Sequence, residues 1–146
     1  MRGNKLSSAS GMFLIELLLA ILIFSVASAI CLRVFVTANQ ISTESHNLNR
    51  AVIAAQNGAE CFKATGGNLA EAAGLLNGEL ADGGSAVEIY FDSAWQPAVQ
   101  GDFKYILKIG EVNRQGGSLI SGEVTVSEAA GGLIFSIPVS VTEVAP

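Results

Sequence analysis

The sequence predicts an α+β fold, a long N-terminal helix packed on a small antiparallel sheet of about four strands. Three observations carry that reading. Between Met12 and Asn57 the chain has neither glycine nor proline, so nothing in that stretch marks a helix end. From Ile41 onward apolar and small residues recur at helical spacing. Past Gly78 the pattern changes to segments in which apolar and polar residues alternate, parted by glycine pairs, and each such segment has one face to bury.

Taken in order, residues 1–11 form a short leader with Arg2 and Lys5 and no acidic residue. The apolar run that follows is about 21 residues long counting from Met12, interrupted only by Glu16, and that is enough to span a bilayer as a helix. Positive charge ahead of an apolar run favours a cytoplasmic N-terminus, which places the rest of the chain outside. The chain divides on this reading into a leader (1–11), a membrane half of the helix (12–36) and a globular domain (37–146). Glu16 is the anomaly of the run. A charge in hydrocarbon costs about 2.5–3.5 kcal/mol on insertion scales, and such residues usually mark a partner or a function.

The helix is expected to continue to about Ala64, roughly 80 Å at 1.5 Å per residue. Its second half carries a stripe at Ile41, Leu48, Val52, Ala55, Ala59 and Phe62, while Glu44, Asn47, Asn49, Arg50, Gln56, Asn57, Glu60 and Lys63 fall largely off it. Thr65, Gly66 and Gly67 then end it, glycine being suited to the left-handed turn after a helix. Asn68 with Glu71 three residues on reads as a capping box for a short helix through Leu76, stopped by Asn77 and Gly78.

Glycine pairs at Gly83–Gly84, Gly116–Gly117 and Gly131–Gly132 mark turns. No P-loop pattern accompanies them, so they do not read as a phosphate cradle. Between them Val87, Ile89 and Phe91 alternate with Glu88 and Tyr90, and Phe103, Tyr105, Leu107 and Ile109 with Lys104 and Lys108. Ile120, Val124 and Val126 alternate with Glu123, Thr125 and Ser127. Leu133, Phe135, Ile137, Val139 and Val141 alternate with Ser136, Ser140 and Thr142. Short links favour an antiparallel meander whose apolar face covers the helix stripe. Pro138 has no N–H for a ladder, which puts the last strand at an edge.

Composition removes several function classes. After Arg33 the chain holds twelve acidic residues against five basic ones, a poor balance for gripping nucleic acid phosphates. His46 is the only histidine and falls on the solvated side of the predicted helix, without a second histidine for a metal site or a catalytic pair. No cofactor and no enzymatic activity are expected. The acidic pairs Glu79 with Asp82 and Asp92 with Asp102 lie in loop-like sequence and read as solvated charge. Trp95 reads as an anchor beside the sheet. Cys31 and Cys61 are too few for a disulfide scaffold, and thirty residues of one helix hold them about 45 Å apart, so each reads as a small buried apolar side chain, with an intermolecular bridge through Cys61 as the alternative.

The string Gly11, Met12, Phe13, Leu14, Ile15, Glu16, after a short basic leader and before an apolar run, resembles the processing site of type IV prepilins and pseudopilins. The resemblance covers the N-terminal third. It implies that a prepilin peptidase cuts after Gly11 and methylates the new N-terminus at Met12. It also implies that Glu16 serves subunit assembly, pairing with the free amine of an incoming neighbour's Met12. The implied partners are that peptidase, other pilin subunits, an assembly platform with its ATPase, and the membrane, with no direct binding of nucleic acid. The helix-on-sheet arrangement, reached from periodicity, is itself similar to the pilin fold. Met12 and Phe13 depart from the phenylalanine and small hydroxyl residue common at those positions, and the chain lacks the C-terminal disulfide of many pilins, having no cysteine after Cys61.

Other readings stay open. Ala27, Ser28 and Ala29 form an A-x-A pattern, and cleavage after Ala29 releases a secreted protein, although Glu16 then sits within the hydrophobic region of the signal. Cleavage before Cys31 as a lipoprotein meets Ile30 where a small residue is wanted. An outward-facing binding module anchored by one helix is the remaining alternative.

Overall fold

The computed structural model describes residues 5–115 and 119–142. Helix α1 spans Lys5–Ala64 and α2 spans Leu69–Leu76; the strands are β1 Glu79–Ala81, β2 Ala86–Phe91, β3 Pro97–Ala98, β4 Tyr105–Gln115, β5 Leu119–Glu128 and β6 Leu133–Thr142. The fold is α+β, as the sequence predicts. By its contacts the chain divides inside α1, between Glu44 and Ser45.

In the C-terminal unit the sheet is antiparallel with order β1-β2-β4-β5-β6, and β3 also pairs with β2. Six strands form where four are expected. The two additions are three and two residues long, too short for any period to register, and they share the outer side of β2, pairing with its first and last residues. Glu79 consequently lies in a strand and not in a loop. β6 is the other edge, with Pro138 in its middle opposite Glu123, as the missing N–H requires. The turn expected at Gly116–Gly117 lies outside the described residues.

Register sets the core. Val87, Ile109, Val124 and Ile137 form one row across four strands, and Ile89, Leu107, Val126 and Phe135 the next. These rows belong to the apolar face, on which Val87, Leu107, Ile109, Val124 and Val126 are fully buried. The last turns of α1 cover that face through Ala51, Ala55, Ala59 and Phe62. Small residues let the helix lie close: a Cβ at Gly58 would stand 3.3 Å from Val124 and 3.4 Å from Leu107. The covered stripe is thus shifted from the expected one. Leu48 and Ile41 are exposed and Val52 only half-buried, because ahead of Phe62 it is the small residues Ala51, Ala55, Gly58 and Ala59, which permit close approach, that are buried.

The helix ends as expected. Gly67 N–H donates to Phe62 O at 2.9 Å and Gly66 N–H to Lys63 O at 3.1 Å, the reverse-turn pattern that satisfies terminal carbonyls. Gly67 has φ +80°, and an added Cβ would come to 2.7 Å of Ile120 Cγ2, so both its conformation and its space demand glycine. Asn68 Oδ1 caps α2 by accepting from Ala70 N–H and Glu71 N–H at 3.1 and 3.4 Å, and Asn77 closes it in the left-handed region at φ 50°.

Candidate functional site

Gly11, Met12 and Glu16 lie within α1, in the N-terminal unit. At four residues' separation Met12 and Glu16 share one side of the helix, about 6 Å apart along its axis, while Gly11 is about one and a half turns from Glu16. From Met12 to Glu44 every side chain is exposed except Ser28, which is half-buried. Met12 is 72 %, Phe13 66 % and Phe24 74 % exposed. Such apolar density without cover is compatible with a lipid surrounding or with packing against other helices. By length and composition α1 is able to cross a membrane.

The hydroxyls in this segment do not disturb that surface. Ser25 donates to Ile21 O at 2.8 Å, Ser28 to Phe24 O at 2.8 Å and Thr37 to Arg33 O at 3.0 Å. Each is satisfied by its own helix, which suits a medium without water. Glu16 has no such outlet. The ion pairs among the described residues are both made by Lys108, with Asp82 at 2.6 Å and Glu88 at 3.4 Å. Glu16 is thus an exposed, unpaired carboxylate in an apolar surface.

The C-terminal unit offers two further candidates. The first is a cleft of about 380 Å³ with walls from Ile53, Leu76, Ile89 and Trp95 and with Arg50 and Glu79 among its lining residues. Trp95 is held rigidly there. Its ring stacks on Tyr105 with centroids 4.2 Å apart, and its Nε1–H donates to Asn47 Oδ1 at 3.3 Å. The backbone at Trp95 takes φ 61°, fixed by a turn in which Asp92 Oδ1 accepts from Ala94 N–H and Gln96 N–H. Trp95 is therefore an anchor, as expected; Asn47, which the sequence places off the helix stripe, is half-buried as its acceptor. Nothing in the helical period distinguishes Asn47 from its polar neighbours.

The second candidate is on the polar face of the sheet. Tyr90 OH donates to Glu88 Oε2 at 2.8 Å, and Glu88 also meets Lys108. Burial, then the neighbouring Glu88 carboxylate, push the Tyr90 phenol up to about 12. The hydrogen bond to Asp82, joined by the charges of Asp82 and Glu88, holds Lys108 above its ordinary range. Every partner is another protein group, and the cluster acts as a brace between β1's following turn, β2 and β4. The acidic pairs fall apart likewise: Asp82 binds Lys108, and Asp92 binds its own turn. His46 is exposed. No group of three or more metal-ligating side chains occurs among the described residues. Of the cysteines, expected to be buried, Cys31 is exposed and Cys61 half-buried, both free; Cys31 lies on the uncovered part of α1, where helical position gives no shelter.

No family model, curated protein or solved structure matches this chain.

Proposed function

We propose that the chain is a type IV pilin-like or pseudopilin subunit, held in the membrane by α1, cut after Gly11 by a prepilin peptidase, methylated at Met12 and assembled outward into a filament. One observation carries the reading: an exposed, unpaired Glu16 four residues after Met12, on a helix whose apolar surface is uncovered from there to Arg33. A simple anchor has no use for a carboxylate in lipid, where it is penalised. A filament has one. The free amine made by cleavage is a cation on the same helix side as Glu16, and between two copies it neutralises a charge that lipid and protein interior both disfavour. Packing of the apolar helices then supplies the adhesive area. Before assembly the N-terminus is cytoplasmic and the globular unit outside; afterwards the subunit belongs to a surface filament driven by a platform and its ATPase. An anchored binding module is the rival reading, and the cleft beside Trp95 is the feature in its favour.

The test is Glu16→Ala. Insertion and the stability of the lone subunit should be unchanged or slightly improved, since a membrane charge is removed. Mass spectrometry of the membrane fraction should still find an N-terminus at Met12. Assembly loses about 3–5 kcal/mol per contact, the effect of deleting one member of a buried pair, so the variant should accumulate in membranes and be scarce in sheared filaments. Equal partition of variant and wild type favours the anchored module, and a mature N-terminus at Ile30 favours the secreted protein.

A further inference from the structure

We propose that Arg33 of one copy pairs with Glu44 of the adjoining copy, in the same register that brings the Met12 amine to Glu16. The inference rests on the filament reading above. From Met12 to Glu44 the ionised side chains are Glu16, Arg33 and Glu44 alone. All are exposed. Arg33 meets no acid on its own helix, because the positions that face it three and four residues away are Ala29, Ile30, Val36 and Thr37. Glu44 meets no base, its corresponding neighbours being Gln40, Ile41, Asn47 and Leu48. Neither charge is neutralised among the described residues, and helices laid side by side bring each of them against a neighbour.

Helix geometry selects the partner. Glu44 lies about 16.5 Å beyond Arg33 along α1, and the eleven steps between them return it to within about 20° of the same side. Met12 and Glu16 are about 6 Å apart and about 40° apart around the axis. A copy displaced outward so that its Met12 reaches a neighbour's Glu16 also carries its Arg33 toward that neighbour's Glu44. With an outward displacement of about 6–10 Å the axial gap left is about 6–10 Å, which an extended arginine and glutamate together reach at bond lengths of about 1.5 Å. The angular offsets of the two pairs agree within about 20°, less than real helices scatter, so one operation relating the copies satisfies both. Bringing Arg33 to Glu16 instead needs a displacement of about 25 Å in the opposite sense and strands the Met12 amine. The contact uses different residues on its two sides, the head-to-tail kind that builds open filaments.

The experiment uses the full chain in cells that assemble it, and scores the fraction in sheared filaments against the fraction in membranes. Arg33→Glu and Glu44→Arg should each lower the sheared fraction about fivefold, the upper end of what an exposed pair contributes. Exchanging both residues should restore it to within about twofold of wild type, as coupled sites do. The neutral variants Arg33→Gln and Glu44→Gln give a second measurement: combined, they should lose no more than either alone. Both positions precede the unit that begins at Ser45, so unchanged Trp95 emission confirms that this unit is folded in every variant. Exchange no better than the single reversals, or additive losses in the neutral pair, overturns the pairing while wild-type filaments leave the filament reading intact. A wild type that never enters sheared filaments overturns both.

Discussion

Phe62 sets how α1 sits on the sheet. Its ring lies over Gly122, where an added Cβ would stand 3.3 Å from Phe62 Cζ, and the side chain is fully buried. Truncating a buried phenylalanine to alanine costs about 3–5 kcal/mol through lost burial and the cavity left behind. That is a large part of the roughly 5–15 kcal/mol that holds a domain together. Phe62→Ala should therefore lower the denaturant midpoint sharply, and Trp95, the single tryptophan, reports it through its emission as the stack on Tyr105 is lost. Tyr90 adds a dependence on pH. Its phenol is held near 12 in the folded state against an ordinary 10, so its contribution is fully present below pH 10 and is lost as pH rises toward 12. Lys108, also raised, acts in the same direction. Titrating unfolding between pH 9 and about 12 should show this fall, and Tyr90→Phe should flatten it; an equal fall in the variant assigns the loss to other groups.

At the level of elements, legibility followed length. The four long strands and α2 announced themselves through alternation and through Asn68, Asn77 and Gly78, and the end of α1 through Gly66 and Gly67. The two short strands did not, since β1 and β3 exist because β2 offers an unpaired side and their own residues carry no period. The helix stripe was found but misplaced, because hydrophobic size, which marks Leu48, and close approach, which selects Ala51 and Gly58, are different properties that only packing separates. Of the candidate site, Glu16 was legible as a charge in an apolar run, and its lack of a partner needed the coordinates. The Trp95–Asn47 bond links positions forty-eight apart, and no local pattern encodes such a pair.

For the whole molecule, the division at Ser45 has a solubility consequence. A truncated chain starting at Thr37 keeps the complete C-terminal unit and removes the apolar run; it should be a soluble monomer with one cooperative unfolding transition. Aggregation without such a transition would show that the sheet does not cover the helix as described. The borders of that sheet bear on how the chain behaves at high concentration. Pro138 breaks the donor row of β6, while the opposite side of β2 is divided between two fragments, β1 and β3. Neither border presents a long uninterrupted template on which a foreign strand could grow. Amyloid-like recruitment through the C-terminal unit is thereby disfavoured even where copies are concentrated.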